Sequence, residues 1–380
     1  MSSWKECKLG DIAEINMGQS PKSEFYNQDK IGLPFLQGNR TFGLKYPYFD
    51  TYCSEPTKIA KHGEILFSVR APVGDINIAN DEICIGRGLC SINSKDKNNE
   101  FLYYLLHFLK NEIINNESGS VFGSINRTDL SNINVLYPPI EEQKAIAEVL
   151  SSLDDKIDLL HRQNKTLENL AQTLFRQWFI EEAKEEWEIG TLDDILSVKG
   201  GSTPSTANSD FWDGEISWTT PRDLSSNVGV YLFKTERKIT EEGLEKISSG
   251  LLPTGTILLS SRAPVGYLAI SDIPLAINQG YIAILDNKDF SKYFIYLWLK
   301  ENIDYIVSNA NGSTFLEISK SVFKSLEVIK PPKEIRLKFD NKVIPMFEKI
   351  KINSKQIQTL ENLRDTLLPK LLRGEVRVEK

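Results

Sequence analysis

The chain has 380 residues, more than one ordinary core accommodates, so two domains of ~150 residues with connecting elements are expected. Hydrophobic residues at 41% and charged residues at 26%, with no low-complexity tract, exclude a disordered chain. The net charge of −7 argues against a uniformly basic nucleic-acid binder, although a local basic face can coexist with acidic helices. The apolar stretch LYYLLHFL at 102–109 is far shorter than the roughly 20 residues of a membrane span, and the opening MSSWKECKL has no apolar signal core. Cys7, Cys53, Cys84 and Cys90 lack CxxC spacing and only His62, His107 and His161 accompany them, so neither a zinc site nor a catalytic constellation is expected; reduced thiols in the cytoplasm are the simple reading.

In chain order, Trp4 opens WKECKLGDIAEINMGQSP, which closes in a Gly-rich turn. A segment containing QGNRTFGLKYPYF at 37–49 follows. EILFSV at 64–69 reads as a short alternating strand in a mixed α/β domain, and RAPVG at 70–74 reads as a tight turn. Gly88, GSVFGSI at 119–125 and Tyr-Pro-Pro at 137–139 come next, and the double proline ends the strand pattern. A long helical stretch without glycine then runs to the acidic segment EEAKEEWE at 181–188, a solvated linker or a docking surface.

At Trp187 the order restarts. WEIGTLDDILSVKGGSTP answers the first stretch at an offset of 183 (187 − 4), and RAPVG recurs at 262–266 and Gly280 answers Gly88, both at 192. GSTFLEI at 312–318, Lys-Pro-Pro at 330–332 and TLENL at 359–363 (against 166–170) return at 193. The offset grows only between roughly residues 20–70 and 203–262, so two copies of one fold carry different loops inside a common frame.

The first helix places Ile146, Leu150, Leu153, Ile157, Leu160, Asn164, Leu167, Ala171, Leu174 and Trp178 on a heptad seam. The second places Phe339, Val343, Met346, Ile350, Asn353, Ile357, Leu360, Arg364, Leu367 and Leu371 likewise, with Pro345 expected to kink or break it. Each narrow seam needs a partner, and the other helix is the nearest. The expected fold is therefore mixed α/β: two similar globular domains related by a pseudo-twofold axis and separated by two long antiparallel helices, a coiled-coil rod of about 60 Å at ~1.5 Å per residue. The expected divisions are 1–139 (first domain), 140–182 (central helix), 183–332 (second domain) and 333–380 (C-terminal helix). An axis near residue 162 would set Asn164 against Asn353 as a register-fixing polar pair, the alternative being that each faces solvent.

Two similar domains with divergent loops suit duplex DNA read at two half-sites separated by an unread gap. Arg70 and Arg262 lead the shared RAPVG turns and either contact phosphate or brace the loop; being common to both copies, they cannot carry sequence choice. The variable loops offer Gln37, Asn39, Arg40, Lys45, Tyr46 and Tyr48 in the first copy and Arg222 and Asp223 of TTPRDL in the second, with Arg40 and Arg222 at an offset of 182. Gln, Asn and Arg are the types that pair bidentately with purine edges, and a solvated loop is the alternative. YLFKTERKI at 231–239 brings together Lys234, Arg237 and Lys238, either a phosphate-binding strip or an amphipathic surface strand. Lys22, Ser23, Ser202 and Thr203 follow the Gly-rich turns, where turn chemistry competes with phosphate binding.

The order WxxxxLxD…GxTP…RAPVG…PPxxEQ followed by a long helix, stated twice, resembles the specificity subunit of Type I restriction-modification enzymes over essentially the full length. The second copy departs from it at PPKEIRLKF (331–339), which lacks the Glu-Gln of PPIEEQKAI (138–146), and at Pro345. The resemblance implies two target recognition domains reading a bipartite asymmetric site. It implies a complex with two adenine-N6 methyltransferase subunits and two motor-nuclease subunits, in which S-adenosylmethionine, ATP and Mg2+ belong to the partners and this chain binds no cofactor or metal and catalyses nothing. No Walker loop and no Asn-Pro-Pro-aromatic motif is found in the sequence, in agreement. The competing expectation is a coiled-coil scaffold whose globular ends bind proteins.

Overall fold

A computed structural model describes residues 4–115, 123–225, 227, 229–262, 264–286, 288–312 and 316–378. Positions 119–122 of GSVFGSI and 313–315 of GSTFLEI lie outside the described residues. The chain forms two compact units, one made of 1–157 and 359–380, the other of 158–358.

In the first unit, strands Ala13–Met17, Leu89–Ser94, Ile65–Ser68 and Ile76–Ile78 form an antiparallel sheet in that order. A second sheet runs Tyr26–Asn27, Tyr52–Cys53, Leu33–Leu36, Ile83–Ile85, Ile59–Ala60, with only Leu33–Leu36 and Ile83–Ile85 parallel. In the second unit, Ser197–Lys199, Tyr281–Asp286, Ile257–Ser260, Leu268–Ser271 and Tyr231–Leu232 form the corresponding sheet. Beside it, Trp212–Thr219 joins Arg237–Ile239 and pairs in parallel with Ala276–Ile277.

The strand read from EILFSV spans Ile65–Ser68, and its counterpart in the second unit, within TILLSS at 256–261, spans Ile257–Ser260. Neither shows the one-sided burial of an alternating strand; all four residues of each are buried. The reason is that each strand feeds two cores. Ile65 and Phe67 pack under the helix Asn99–Asn115, while Leu66 joins Leu36, Ile83 and Leu89 on the opposite face. In the second unit Ile257 and Leu259 pack with the helix Lys292–Glu301, and Leu258 faces the other way. A strand covered on both faces reads as a continuous apolar run.

The long helices are Ile140–Arg176, continued by a π-turn over Gln177–Glu181, and Lys333–Leu372. The second helix continues through Pro345 without the break that is one of the two outcomes expected there, a kink being the other. Its core residues Phe339, Val343, Phe347 and Ile350 flank the proline and are all buried, and their packing outweighs the one hydrogen bond a proline removes. Its missing Glu-Gln is also replaced in function. Buried Gln143 donates Nε2 to the Pro138 carbonyl at 2.9 Å, and Arg336, 193 positions on, donates Nε to the Pro331 carbonyl at 3.0 Å.

Within each unit the helices run antiparallel. In the first, Glu142 lies beside Arg377 and Asp154 beside Arg364; in the second, Asn164 meets Asn353 and Phe179 meets Phe339 edge to face at a centroid distance of 4.8 Å. Near its end the first seam shifts from Leu174 and Trp178 to Phe175 and Phe179, which are the buried pair. An ideal helix drifts from a strict 3.5-residue repeat, so residues four apart from Ala171 onward face the core.

Candidate nucleic-acid interface

The repeated RAPVG has a local chemical cause. Ser68 and Ser260, both buried, use one hydroxyl twice: each donates to the carbonyl four residues on (Pro72, Pro264; 2.8 Å each) and accepts the backbone N–H seven residues on (Asp75, Tyr267; 2.8 Å each). Gly74 and Gly266 close the turn at φ +93° and +111°, where a side chain would be strained. Val69 and Ser261 donate N–H to the carbonyls of Gly88 and Gly280 at 2.9 and 2.8 Å. Both units therefore build the same scaffold bond for bond.

The two arginines of that scaffold have different surroundings. Arg262 donates Nε to Glu317 at 2.9 Å, whereas Arg70, paired across an isolated bridge with Ser124, faces no carboxylate among the described residues.

The variable loops leave equivalent strands. Leu33–Leu36 leads to Gln37 and to a short 3-10 turn over Asn39–Thr41, and Trp212–Thr219 leads to the short helix Pro221–Ser225 carrying Arg222. Gln37 is exposed and accepts the Ser20 hydroxyl at 2.9 Å. Asn39 donates to Asp75 at 2.6 Å, and Lys110 reaches the other oxygen of the same carboxylate at 3.0 Å. Arg40 projects into solvent against Asp50 at 2.8 Å, and that hydrogen bond holds the Asp50 carboxyl below its usual range. Gln37 and Arg40 border one small cavity of about 80 Å³.

Lys45 is not part of this cluster. Its side chain is three-quarters covered and its ammonium donates to Asp155 of the first long helix at 3.0 Å; burial alone would lower its pKa, but the Asp155 bond and the neighbouring carboxylate of Asp154 raise it. Tyr46 stands beside it, half exposed.

In the second unit Arg222 and Lys234 line an open groove of about 440 Å³ with Asp223 and Glu236, and Arg222 lies 3.6 Å from Glu236. The segment 231–239 is not one strip. Tyr231 is buried and donates to the Phe347 carbonyl, and the chain crosses from one sheet to the other between Tyr231–Leu232 and Arg237–Ile239. Arg237 sits over the Trp212 ring at 3.5 Å from its centroid, a cation–π contact, and Lys238 pairs with Glu215 at 3.3 Å. Ser202 and Thr203 are engaged in turns with Lys246 and Gln279.

Two exposed residues at the heart of this region escaped the sequence reading: Arg87 between Gly86 and Gly88, and Gln279 before Gly280. Their signal was the Gly88/Gly280 correspondence itself, which marks a shared turn whose preceding side chain differs.

At the helices, Asn353 donates Nδ2 to Asn164 at 2.9 Å and Asn164 donates to Ser354 at 3.2 Å. Among the described residues no group of His, Cys, Asp and Glu could hold a metal ion, and no helix is long and apolar enough to cross a membrane.

A family model described as the Type I restriction modification DNA specificity domain matches twice, over residues 1–169 and 184–362. The chain is 30% identical to the Type I restriction enzyme MjaIX specificity subunit of Methanocaldococcus jannaschii, over 99% of this chain and 94% of that protein. It is 26% identical to the HindI specificity subunit of Haemophilus influenzae, over 99% and 100% respectively. The crystal structure of a Type I restriction-modification S subunit from M. genitalium shares the fold, with a TM-score of 0.63 at 18% identity over 97% of this chain and 96% of that one.

Proposed function

This chain belongs to the family of Type I restriction-modification DNA specificity domains, a DNA-sequence recognition chain and not a catalyst, and from that premise we propose that its two units read the two halves of a bipartite, asymmetric duplex site. The reading rests on one observation above the rest: two units share a hydrogen-bonded scaffold around Ser68 and Ser260 yet differ in the loops beside it. A common frame with different polar side chains is what two unlike half-sites require, since base edges are discriminated by side-chain donors and acceptors while phosphates are not. Gln37, Asn39 and Arg40 serve one half-site and Arg222 and Lys234 the other. Arg70, Arg262, Arg237 and Lys238 are assigned to backbone phosphates, while Lys45, with Tyr46 beside it, anchors its loop to the helix. The recognition domains span 1–139 and 183–332, and the spacer helices 140–182 and 333–380.

In this role the chain acts in the cytoplasm within a complex of two methyltransferase and two motor-nuclease subunits, directing adenine-N6 methylation and restriction. S-adenosylmethionine, ATP and Mg2+ are bound by those partners. An acidic chain has little nonspecific affinity for DNA, so recognition is expected to be strong only in the complex. The test is the adenine-methylation map of DNA from cells expressing this chain with its neighbouring methyltransferase, against the methyltransferase alone. A gapped motif appearing only with this chain supports the reading. No new methylation, with the complex shown to assemble, returns the chain to a scaffold.

A further inference from the structure

A residue that distinguishes two half-sites has to meet three conditions. Its backbone is rigid, its side chain is free at the rim, and its identity differs between units at an equivalent place. The RAPVG arginines fail the last condition. Arg87 and Gln279 meet all three.

Their positions are equivalent by sequence and by bonding. Each precedes the glycine, Gly88 or Gly280, whose carbonyl accepts the N–H of Val69 or Ser261, and each turn links a strand of one sheet to an inner strand of the other, Ile83–Ile85 to Leu89–Ser94 and Ala276–Ile277 to Tyr281–Asp286.

Both turns are pressed against the loops that carry the other candidates. A Cβ on Gly88 would stand 2.4 Å from the Gln37 carbonyl oxygen, and one on Gly280 would stand 2.9 Å from the Pro221 ring. The N–H of Arg87 donates to Ser20 Oγ at 3.2 Å, and Ser20 in turn donates to Gln37, so Arg87 and Gln37 share one hydrogen-bonded support. Gln279 accepts the Thr203 hydroxyl at 2.7 Å through Oε1, which leaves its amide nitrogen and a second oxygen lone pair available. Both side chains are exposed. Arg40 and Arg222 have carboxylate neighbours, Asp50 and Glu236, whereas Arg87 has none among the described residues, so its charge is uncompensated at the rim.

We propose that Arg87 and Gln279 are specificity-determining residues at one shared backbone position, Arg87 pairing with the O6/N7 edge of guanine in one half-site and Gln279 with the N6/N7 edge of adenine in the other. This rests on the reading that the two units bind duplex DNA. A planar guanidinium presents two parallel donors to guanine, and a carboxamide presents one donor and one acceptor to adenine.

The test is the methylation motif produced by the complete complex with its methyltransferase, carrying R87Q, R87K or Q279R. Arg87 variants should lower discrimination about 10-fold or more at a single guanine position of one half-site, and Q279R should alter one position of the other half-site only. R87K keeps the charge but not the fork, and decides by the same readout if R87Q gives no methylation. An unchanged motif in every variant overturns the proposal and leaves the bipartite reading standing. A uniform fall in methylation with an unchanged motif also overturns it, since that marks a phosphate contact. No motif from the wild-type complex overturns the DNA reading and this proposal with it.

Discussion

Asn353, fully buried, donates its amide hydrogens to Asn164 at 2.9 Å and to Gln163 at 3.4 Å, while its own Oδ1 has no partner among the described residues. Two acceptors around Nδ2 set the amide orientation, and the cost falls on the oxygen. A polar pair in an otherwise apolar seam weakens packing but penalises shifted registers, because a slip would bury the amide against aliphatic neighbours.

The two single substitutions should therefore differ. Asn164→Leu leaves the fully buried amide of Asn353 with only the long Gln163 contact and should cost about 2 kcal/mol, while Asn353→Leu leaves the half-buried Asn164 its bond to Ser354 and should cost less. The double variant should lie near the wild type, giving a coupling of about 1 kcal/mol or more in a denaturation double-mutant cycle. Additive losses would show that the amides act independently.

Arg364 occupies a seam position yet is charged. It donates to Asp154 at 2.9 Å, and the Tyr104 hydroxyl donates to the other Asp154 oxygen at 2.7 Å. Arg364→Leu leaves a carboxylate with one donor in a largely buried place and should destabilise the first unit by about 2 kcal/mol, despite matching the heptad better. A gain in melting temperature would contradict this.

Burial pushes the His107 imidazole down to about 4, and its Nε2 has no partner among the described residues. Because the folded value lies below the unfolded one of about 6.5, the unfolded chain binds the proton first, and stability is lost as pH falls from about 6.5 toward 4. With solvent screening the loss should reach roughly 2 kcal/mol. His107→Phe should flatten this part of the pH–stability profile, and an unaltered slope would reject the assignment.

Arg70 and Arg262 should not contribute equally to DNA affinity in the complex. Removing Arg70 should reduce the slope of log affinity against log salt by about 0.9, the value for one phosphate contact, whereas Arg262→Ala should change it less because Glu317 already neutralises that side chain. Glu317→Ser, which installs the residue found opposite Arg70, should steepen the slope. Equal effects of the two arginine variants would remove the distinction.

Much of the architecture was legible in the chain itself. The doubled order of WxxxxLxD, RAPVG and Pro-Pro located two similar units, and the four-and-three spacing from Ile146 and Phe339 located the helices. These signals are local, since backbone turns and helical periodicity depend on residues within a few positions of one another. What the sequence left open were matters of long-range pairing. That Ile65–Ser68 is covered on both faces depends on a second sheet built from distant strands, and that Phe175 and Phe179 displace Leu174 and Trp178 depends on the helical drift and on Phe294 and Phe339. That Lys45 is held by Asp155 while Arg87 remains free at the rim is equally invisible locally, because a charged side chain is committed only by the carboxylates that folding brings to it.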